Sequence, residues 1–230
     1  MTRRTMVRSM AAVAAMGLTV LMGLTGGARA GSFDDFFTAI KRNDVSTLKE
    51  LAAQGFDLNT TDASGQNALY LALRDQMFQV AEFLARHPKF NVDQRNPKDE
   101  TALMYAVLKG YTDVARILVG RGADVNKTGW TPLHYAATFA GKGAPEQVQW
   151  LLDNHAYIDA ESPNGTTPLM MAAQYGSEDV VRLLLEEGAD PSLRNSLGLT
   201  AIDFALRAQR PHVAEAIAAR TRKAQPAGKW

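Results

Sequence analysis

Residues 131–137 read Thr-Pro-Leu-His-Tyr-Ala-Ala, and the head of this box returns along the chain in looser form. It stands at Asn67-Ala68-Leu69-Tyr70-Leu71-Ala72, Thr101-Ala102-Leu103-Met104-Tyr105-Ala106, Thr167-Pro168-Leu169-Met170-Met171-Ala172 and Thr200-Ala201-Ile202-Asp203-Phe204-Ala205, with a degenerate sixth copy at Phe36-Phe37-Thr38-Ala39. Downstream of each box an apolar anchor recurs at Leu51, Leu84, Leu118, Leu151, Leu184 and Ile217, at spacings of 33, 34, 33, 33 and 33. A fixed period of this length marks a repeat array, in which each unit buries its apolar side only against its neighbours.

The residue types within one period explain how it folds. Thr at the head of a box serves as a helix N-cap, and Pro beside it has the fixed φ of a first helical turn. The alanines that follow let two helices approach closely. Val114, Ile117 and Leu118, or Val180, Val181, Leu184 and Leu185, then set an apolar stripe at helical spacing on a second helix. Gly122-Ala123-Asp124-Val125-Asn126 and Gly188-Ala189-Asp190-Pro191 read as turns, with glycine ending a helix in the left-handed conformation. Box and period together resemble the ankyrin repeat family over residues 33–219. The resemblance implies an all-α repeat solenoid of about six repeats including degenerate end caps, each repeat a helix-turn-helix with a projecting β-hairpin finger. Lys41, Arg42, Lys49 and Glu50 at one end, and Arg207, Arg210, Arg220 and Arg222 at the other, predict end repeats whose outer faces are polar.

One box stands out of register. Counted from Phe36, Leu69, Leu103, Leu133, Leu169 and Ile202, the box intervals are 33, 34, 30, 36 and 33, while the anchors keep their period. Three residues are missing from the finger at 124–130, and three return in the turn around Gly141-Lys142-Gly143-Ala144-Pro145. Loops tolerate such changes at little cost in closure entropy. Neutral length drift and a shaped edge beside Trp130 are both open readings.

The first thirty residues differ in kind. Arg3, Arg4 and Arg8 precede an uncharged run over 11–24, and Ala28-Arg29-Ala30 places small residues where a signal peptidase cuts. A run of 14 residues is shorter than the roughly 20 that cross a bilayer, so residues 1–30 are expected to be an export signal cleaved before Gly31, and no membrane anchor. Thr2-Arg3-Arg4-Thr5-Met6-Val7-Arg8 is similar to the twin-arginine signature of bacterial export, an ordinary secretory signal being the other reading. Both lead to the bacterial periplasm. The expected organisation is a leader at 1–30, a repeat domain at 31–219 and a flexible basic tail at 220–230. The whole chain has a net charge of +1, and residues 1–30 hold four arginines and no acid, so the remainder carries 21 basic and 24 acidic residues, a net of −3. That balance gives nucleic-acid binding no support. The chain has no cysteine, which excludes disulfides, thiolate metal sites and lipoprotein attachment.

Motifs of chemistry are missing too. His87, His134, His155 and His212 lie in different repeats without metal-ligand spacing. Gly120-Arg121-Gly122 lacks the third glycine of a dinucleotide fingerprint, Gly141-Lys142-Gly143 lacks the flanks of a phosphate loop, and no G-x-S-x-G or H-E-x-x-H occurs. No catalytic residue, cofactor or metal is expected. Asn59, Asn126 and Asn164 head glycosylation sequons but read as finger turn residues. The family resemblance gives His134 a structural role, hydrogen-bonded to loop backbone. It also places partner contacts on the finger tips and the exposed side of the first helices, together a concave face. On this chain those positions include Arg74, Lys98, Lys109, Trp130, Phe139 and Tyr175. Aromatic side chains carry much of the energy of protein interfaces, which singles out Trp130, Phe139 and Tyr175 as a patch. Packing of Phe139 and Tyr175 against neighbouring repeats is the competing reading. The functional expectation is a monomeric, non-catalytic protein-protein interaction scaffold in the periplasm that binds or regulates another exported protein through its concave face. A chaperone-like or protective accessory of a periplasmic enzyme is the runner-up.

Overall fold

The computed structural model describes the backbone of residues 25–224 and the side chains of residues 31–222. Six helix pairs follow one another. Their first members are α1 (Thr25–Lys41), α3 (Ala68–Arg74), α5 (Ala102–Leu108), α7 (Pro132–Thr138), α9 (Pro168–Tyr175) and α11 (Ala201–Arg207). Their second members are α2 (Val45–Ala53), α4 (Phe78–Arg86), α6 (Thr112–Gly120), α8 (Ala144–Asp153), α10 (Glu178–Glu186) and α12 (Pro211–Ala224). First helices stack on first helices, α7 lying between α5 and α9, and second helices stack likewise, α4 on α6 and α8 on α10. The inner helices are 7 to 10 residues long, below the roughly 12–15 at which an isolated helix holds in water. Stacking therefore supplies their order. The anchors Leu84, Leu118, Leu151, Leu184 and Ile217 are fully buried, and Leu51 nearly so.

Four of the six boxes close their helix start with the same device built from different atoms. Thr101 and Thr167 donate their backbone N–H to the Sδ of Met104 and Met170 at 3.4 Å, Thr200 donates to Asp203 Oδ2 at 2.8 Å, and Thr131 donates to His134 Nδ1 at 3.1 Å. The box histidine is one of several side chains that cap this position.

A second regularity joins the repeats. The backbone N–H groups of Asn91, Asp124, Tyr157 and Asp190 donate to the side-chain oxygens of Asn59, Asp93, Asn126 and Asp159, at 2.7, 2.9, 2.8 and 3.1 Å. Each of these side chains thus satisfies a backbone donor one repeat further on. Asn59 and Asn126 also donate to the carbonyls of Lys89 and His155. Two of the sequon asparagines are rungs of this ladder and not merely turn formers.

The fingers depart from the expected β-hairpins. Among the described residues the fingers contain no ladder, only an isolated antiparallel bridge between Thr61 and Asn67. Each full-length tip is a turn closed by two backbone bonds, from the N–H of Asp62, Asn96, Ser162 or Asn195 to the carbonyl four residues on, at 2.9 to 3.0 Å, and from the N–H three residues on back to the carbonyl of that first residue, at 2.8 to 2.9 Å. Side-chain oxygens take the remaining N–H groups: Asn96 Oδ1 accepts from Lys98 and Glu100, and Asn195 Oδ1 from Leu197 and Leu199. With its donors already met, the tip has no need of a partner strand.

Both ends also differ from the reading of the sequence. α1 starts ahead of Gly31, and the rest of the expected leader lies outside the described residues. α12 continues to Ala224, so residues 220–224 extend the last helix and are not tail, while 225–230 lie outside the described residues. Lys41, Arg42, Lys49, Glu50, Arg207, Arg220 and Arg222 are exposed as expected of end caps. Arg210 instead turns inward and donates to the carbonyls of Ala172 and Ala173, at 3.1 and 2.9 Å. Leu206 is 53% exposed because it occupies the column filled inside the array by Val107, Ala137 and Ala173, and among the described residues no further repeat covers it.

Candidate protein-binding groove

His134 lies at the centre of the array, fully buried. Its Nε2 is 2.8 Å from the Thr166 carbonyl, which can only accept, so the ring proton sits on Nε2 and Nδ1 accepts from Thr131. Burial pushes the imidazole down to about 4, and the ring is neutral at ordinary pH. It ties the fourth box to the fifth finger as the family resemblance implies.

Against this ring, edge to face at 5.2 Å between centroids, stands Trp130. The two rings form the floor and wall of a groove of about 450 Å³ lined further by Leu108, Tyr135, Thr138, Met171 and Tyr175. Leu108, Tyr135, Thr138, Met171 and Tyr175 belong to α5, α7 and α9, and Trp130 to the fourth finger. The groove therefore occupies the angle between fingers and first helices. Tyr175 is 55% exposed and the others are half-buried, apart from the histidine beneath them.

The shortened finger shapes this wall. Where the other fingers carry seven residues between ladder asparagine or aspartate and box, the fourth has only Lys127-Thr128-Gly129-Trp130. The deletion removes the tip residue whose side chain caps the turn in its neighbours. Lys127 takes over: its ammonium, 2% exposed, donates to Asp99 in the preceding finger and, at 3.0 Å, to the Thr128 carbonyl. Asp99 holds a φ of +62° at the tip position where the other fingers place glycine. The Lys127 ammonium, and after it Arg95, keeps the Asp99 carboxyl below the usual carboxylate range.

Of the six residues singled out from sequence, the structure brings two into the groove, Trp130 and Tyr175. Lys109 follows the lining residue Leu108 directly and lies 5.7 Å from the centroid of the Tyr105 ring. Phe139 is elsewhere. α7 ends at Thr138, and Phe139 adopts an extended conformation with ψ of 121°, so its ring leaves the helical path and wedges against Gly110 and Gly141. A methyl group at either glycine would lie within 2.5 Å of the ring. The residues restored at 139–143 thus carry Phe139 into the turn, whereas α9 continues through Tyr175 and keeps that ring on the helix. Lys98 is exposed on the third finger. Arg74 closes on its neighbour Asp75 in a two-pronged ion pair at 2.7 and 2.9 Å, which holds the Asp75 carboxyl below its usual range.

Tyr135 and Met171 are lining residues that the sequence reading passed over. Both occupy the fifth box position, where Leu71, Tyr105 and Phe204 also stand, and this column was the signal available. The Tyr135 hydroxyl donates to Glu100 Oε1 at 3.0 Å, and burial together with that carboxylate pushes it above the usual tyrosine range. Among the described residues no group of three or more His, Asp or Glu side chains is placed to hold a metal ion, and no helix is long and apolar enough to cross a membrane.

Comparison with known proteins agrees with this architecture. The family model described as ankyrin repeats (3 copies) matches residues 36–128, 89–159 and 133–226. The ankyrin repeat protein YahD of Escherichia coli K12 is 28% identical over 193 residues, covering 67% of this chain and 96% of YahD. The p105 subunit of nuclear factor NF-kappa-B from Mus musculus is 32% identical over 147 residues, which is 61% of this chain but only 15% of p105. Among solved structures, a chain in the complex of the Bd0816 predatory endopeptidase from Bdellovibrio bacteriovorus with immunity protein Bd3460 superposes with a TM-score of 0.66 and 30% identity, covering 80% of this chain and 97% of that one. An ankyrin repeat domain from Acinetobacter baumannii AYE gives 0.68 at 24% identity, with 81% and 97% covered. Proteins built from these repeats are protein-protein interaction modules, and this chain belongs to the ankyrin repeat family.

Proposed function

We propose that the protein is a non-catalytic binding module that holds another exported protein in the bacterial periplasm, through the groove between its fingers and first helices. The observation that carries this reading is the groove itself, where an indole, two phenol rings, a leucine and a methionine converge beside a finger cut short by three residues. Capture from a periplasmic extract tests it. One stoichiometric partner is the expected outcome, and Tyr175→Ala is expected to weaken its capture by about 30-fold, roughly 2 kcal/mol, with an unchanged melting temperature because the ring is 55% exposed. Trp130→Ala should weaken capture as well, with a modest loss of stability from its contact with His134. Unaltered capture by both variants would remove the groove from the interface.

The likeness to a chain in a complex of an endopeptidase with its immunity protein supports a narrower second reading, a protective accessory that binds an exported hydrolytic enzyme. A captured hydrolase that loses activity in the complex supports it, and a promiscuous set of unfolded clients supports a chaperone-like role instead. Export rests on the arginine-led leader and the small residues before Gly31. If the twin-arginine route carries it, Arg3→Lys with Arg4→Lys should leave precursor in the cytoplasm on cell fractionation, and normal export of that variant would exclude the route.

A further inference from the structure

Most carboxylates around the groove are already engaged, while several N–H donors are open. Glu100 accepts from Tyr135 at one oxygen and from Asn96 at the other, Asp99 is held by Lys127 and Arg95, and Asp75 by Arg74. The Thr138 hydroxyl donates to the Tyr135 carbonyl at 2.7 Å. Donors show the reverse. Among the described residues the Lys109 ammonium, next in sequence to the lining Leu108 and placed over the Tyr105 ring, makes no ion pair, the exposed Lys98 on the third finger makes none, and the Trp130 indole N–H has no acceptor. Against these, Glu161 is the exposed acid on the nearby fifth finger that lacks a partner. A ligand entering the groove meets apolar surface and N–H groups that need acceptors.

Resting on the binding reading above, we infer that the groove takes a protein segment with one bulky apolar side chain seated between Trp130, Met171 and Tyr175 and a carboxylate beside it that reaches Lys109. The apolar side chain takes up part of a space of about 450 Å³ whose walls are mostly carbon. The carboxylate gives the ammonium and the indole N–H the acceptors they lack, and hydrogen bonds to charged groups are the stronger kind. A basic segment would instead face Lys109 and Lys98, with Glu161 the nearby carboxylate that no side chain of the described residues engages. Like charges brought together in this way select against wrong partners.

The test is selection of a phage-displayed random dodecapeptide library on the purified protein, the library being the probe. Wild type should enrich sequences with a large apolar residue next to Asp or Glu. A peptide from that pool, made synthetically and fluorescently labelled, should bind Lys109→Glu at least 10-fold more weakly, and the same should hold for Tyr175→Ala. Selection on Lys109→Glu should lose the acidic preference while keeping the apolar one. Both side chains are exposed, so circular dichroism melts should match wild type. Enrichment of an apolar residue without an acid, or an acid preference indifferent to Lys109→Glu, overturns the inference and leaves the binding reading intact. Enrichment of basic sequences overturns it as well, and no enrichment over bare beads overturns both.

Discussion

Leu151→Ala should lower the unfolding free energy by about 2–5 kcal/mol, the range for emptying a fully buried leucine site. Leu151 has no exposure and lies on α8, at the middle of the array. A loss of that size is a large part of the roughly 5–15 kcal/mol that keeps a domain folded. Position matters as much as size. In a stack held by nearest-neighbour contacts, weakening a central unit uncouples the units on either side. Urea unfolding of the variant should then lose its single steep transition, with a lower apparent slope, because the two halves melt separately. Leu206→Ala is the control, since its side chain is 53% exposed at the open end and should change stability by less than about 0.5 kcal/mol. A Leu151→Ala protein that unfolds in one sharp step with a cost below 1 kcal/mol on that scale would contradict stacking as the source of order.

His134→Met should remove most of the loss of stability that the fold undergoes between pH 6.5 and pH 4.5. The imidazole is depressed from 6.5 to about 4 by burial, so the unfolded chain binds a proton more readily than the folded one. The contribution of the neutral ring is complete above pH 6.5, is lost progressively as the pH falls towards 4, and is level below that. The span corresponds to at most about 3 kcal/mol at roughly 1.4 kcal/mol per pK unit. Methionine is the informative replacement because Met104 and Met170 already accept the box threonine N–H at the same position. It keeps the helix start and forfeits the donor to the Thr166 carbonyl, the Thr131 hydroxyl contact and the edge-to-face contact with Trp130. Denaturant titrations at pH 7 and pH 4.5 should show wild type weakening by a few kcal/mol more than the variant. Equal losses in the two proteins would mean that His134 titrates normally.

Much of this architecture was legible in the residues because a repeat states itself several times. Six anchors at one spacing and six boxes overdetermine the helix pairs, and errors in one copy are outvoted by the rest. The ladder from Asn59 to Asp159 was less visible, since Asn and Asp are equally at home in isolated turns and only the stacked backbone reveals what they bond. The site was half legible. Trp130 and Tyr175 announced themselves as aromatics on the finger and first-helix face, but Phe139 has the same chemistry and the same box offset as Tyr175, and only the early end of α7 sends it into the turn. Tyr135 and Met171 sit in a column that also holds Leu71 and Phe204, residues that read as core. Lys127 was hidden because lysine is almost never fully buried. Its burial follows from a deletion that removed the tip residue it replaces.

Where a partner lies decides whether the groove is the binding face. Amide hydrogen exchange of the protein with and without its captured partner measures this directly. Slowed exchange in residues 105–109, 130–138 and 171–175 is the predicted result, whereas protection confined to the second helices α4, α6, α8 and α10 would contradict it.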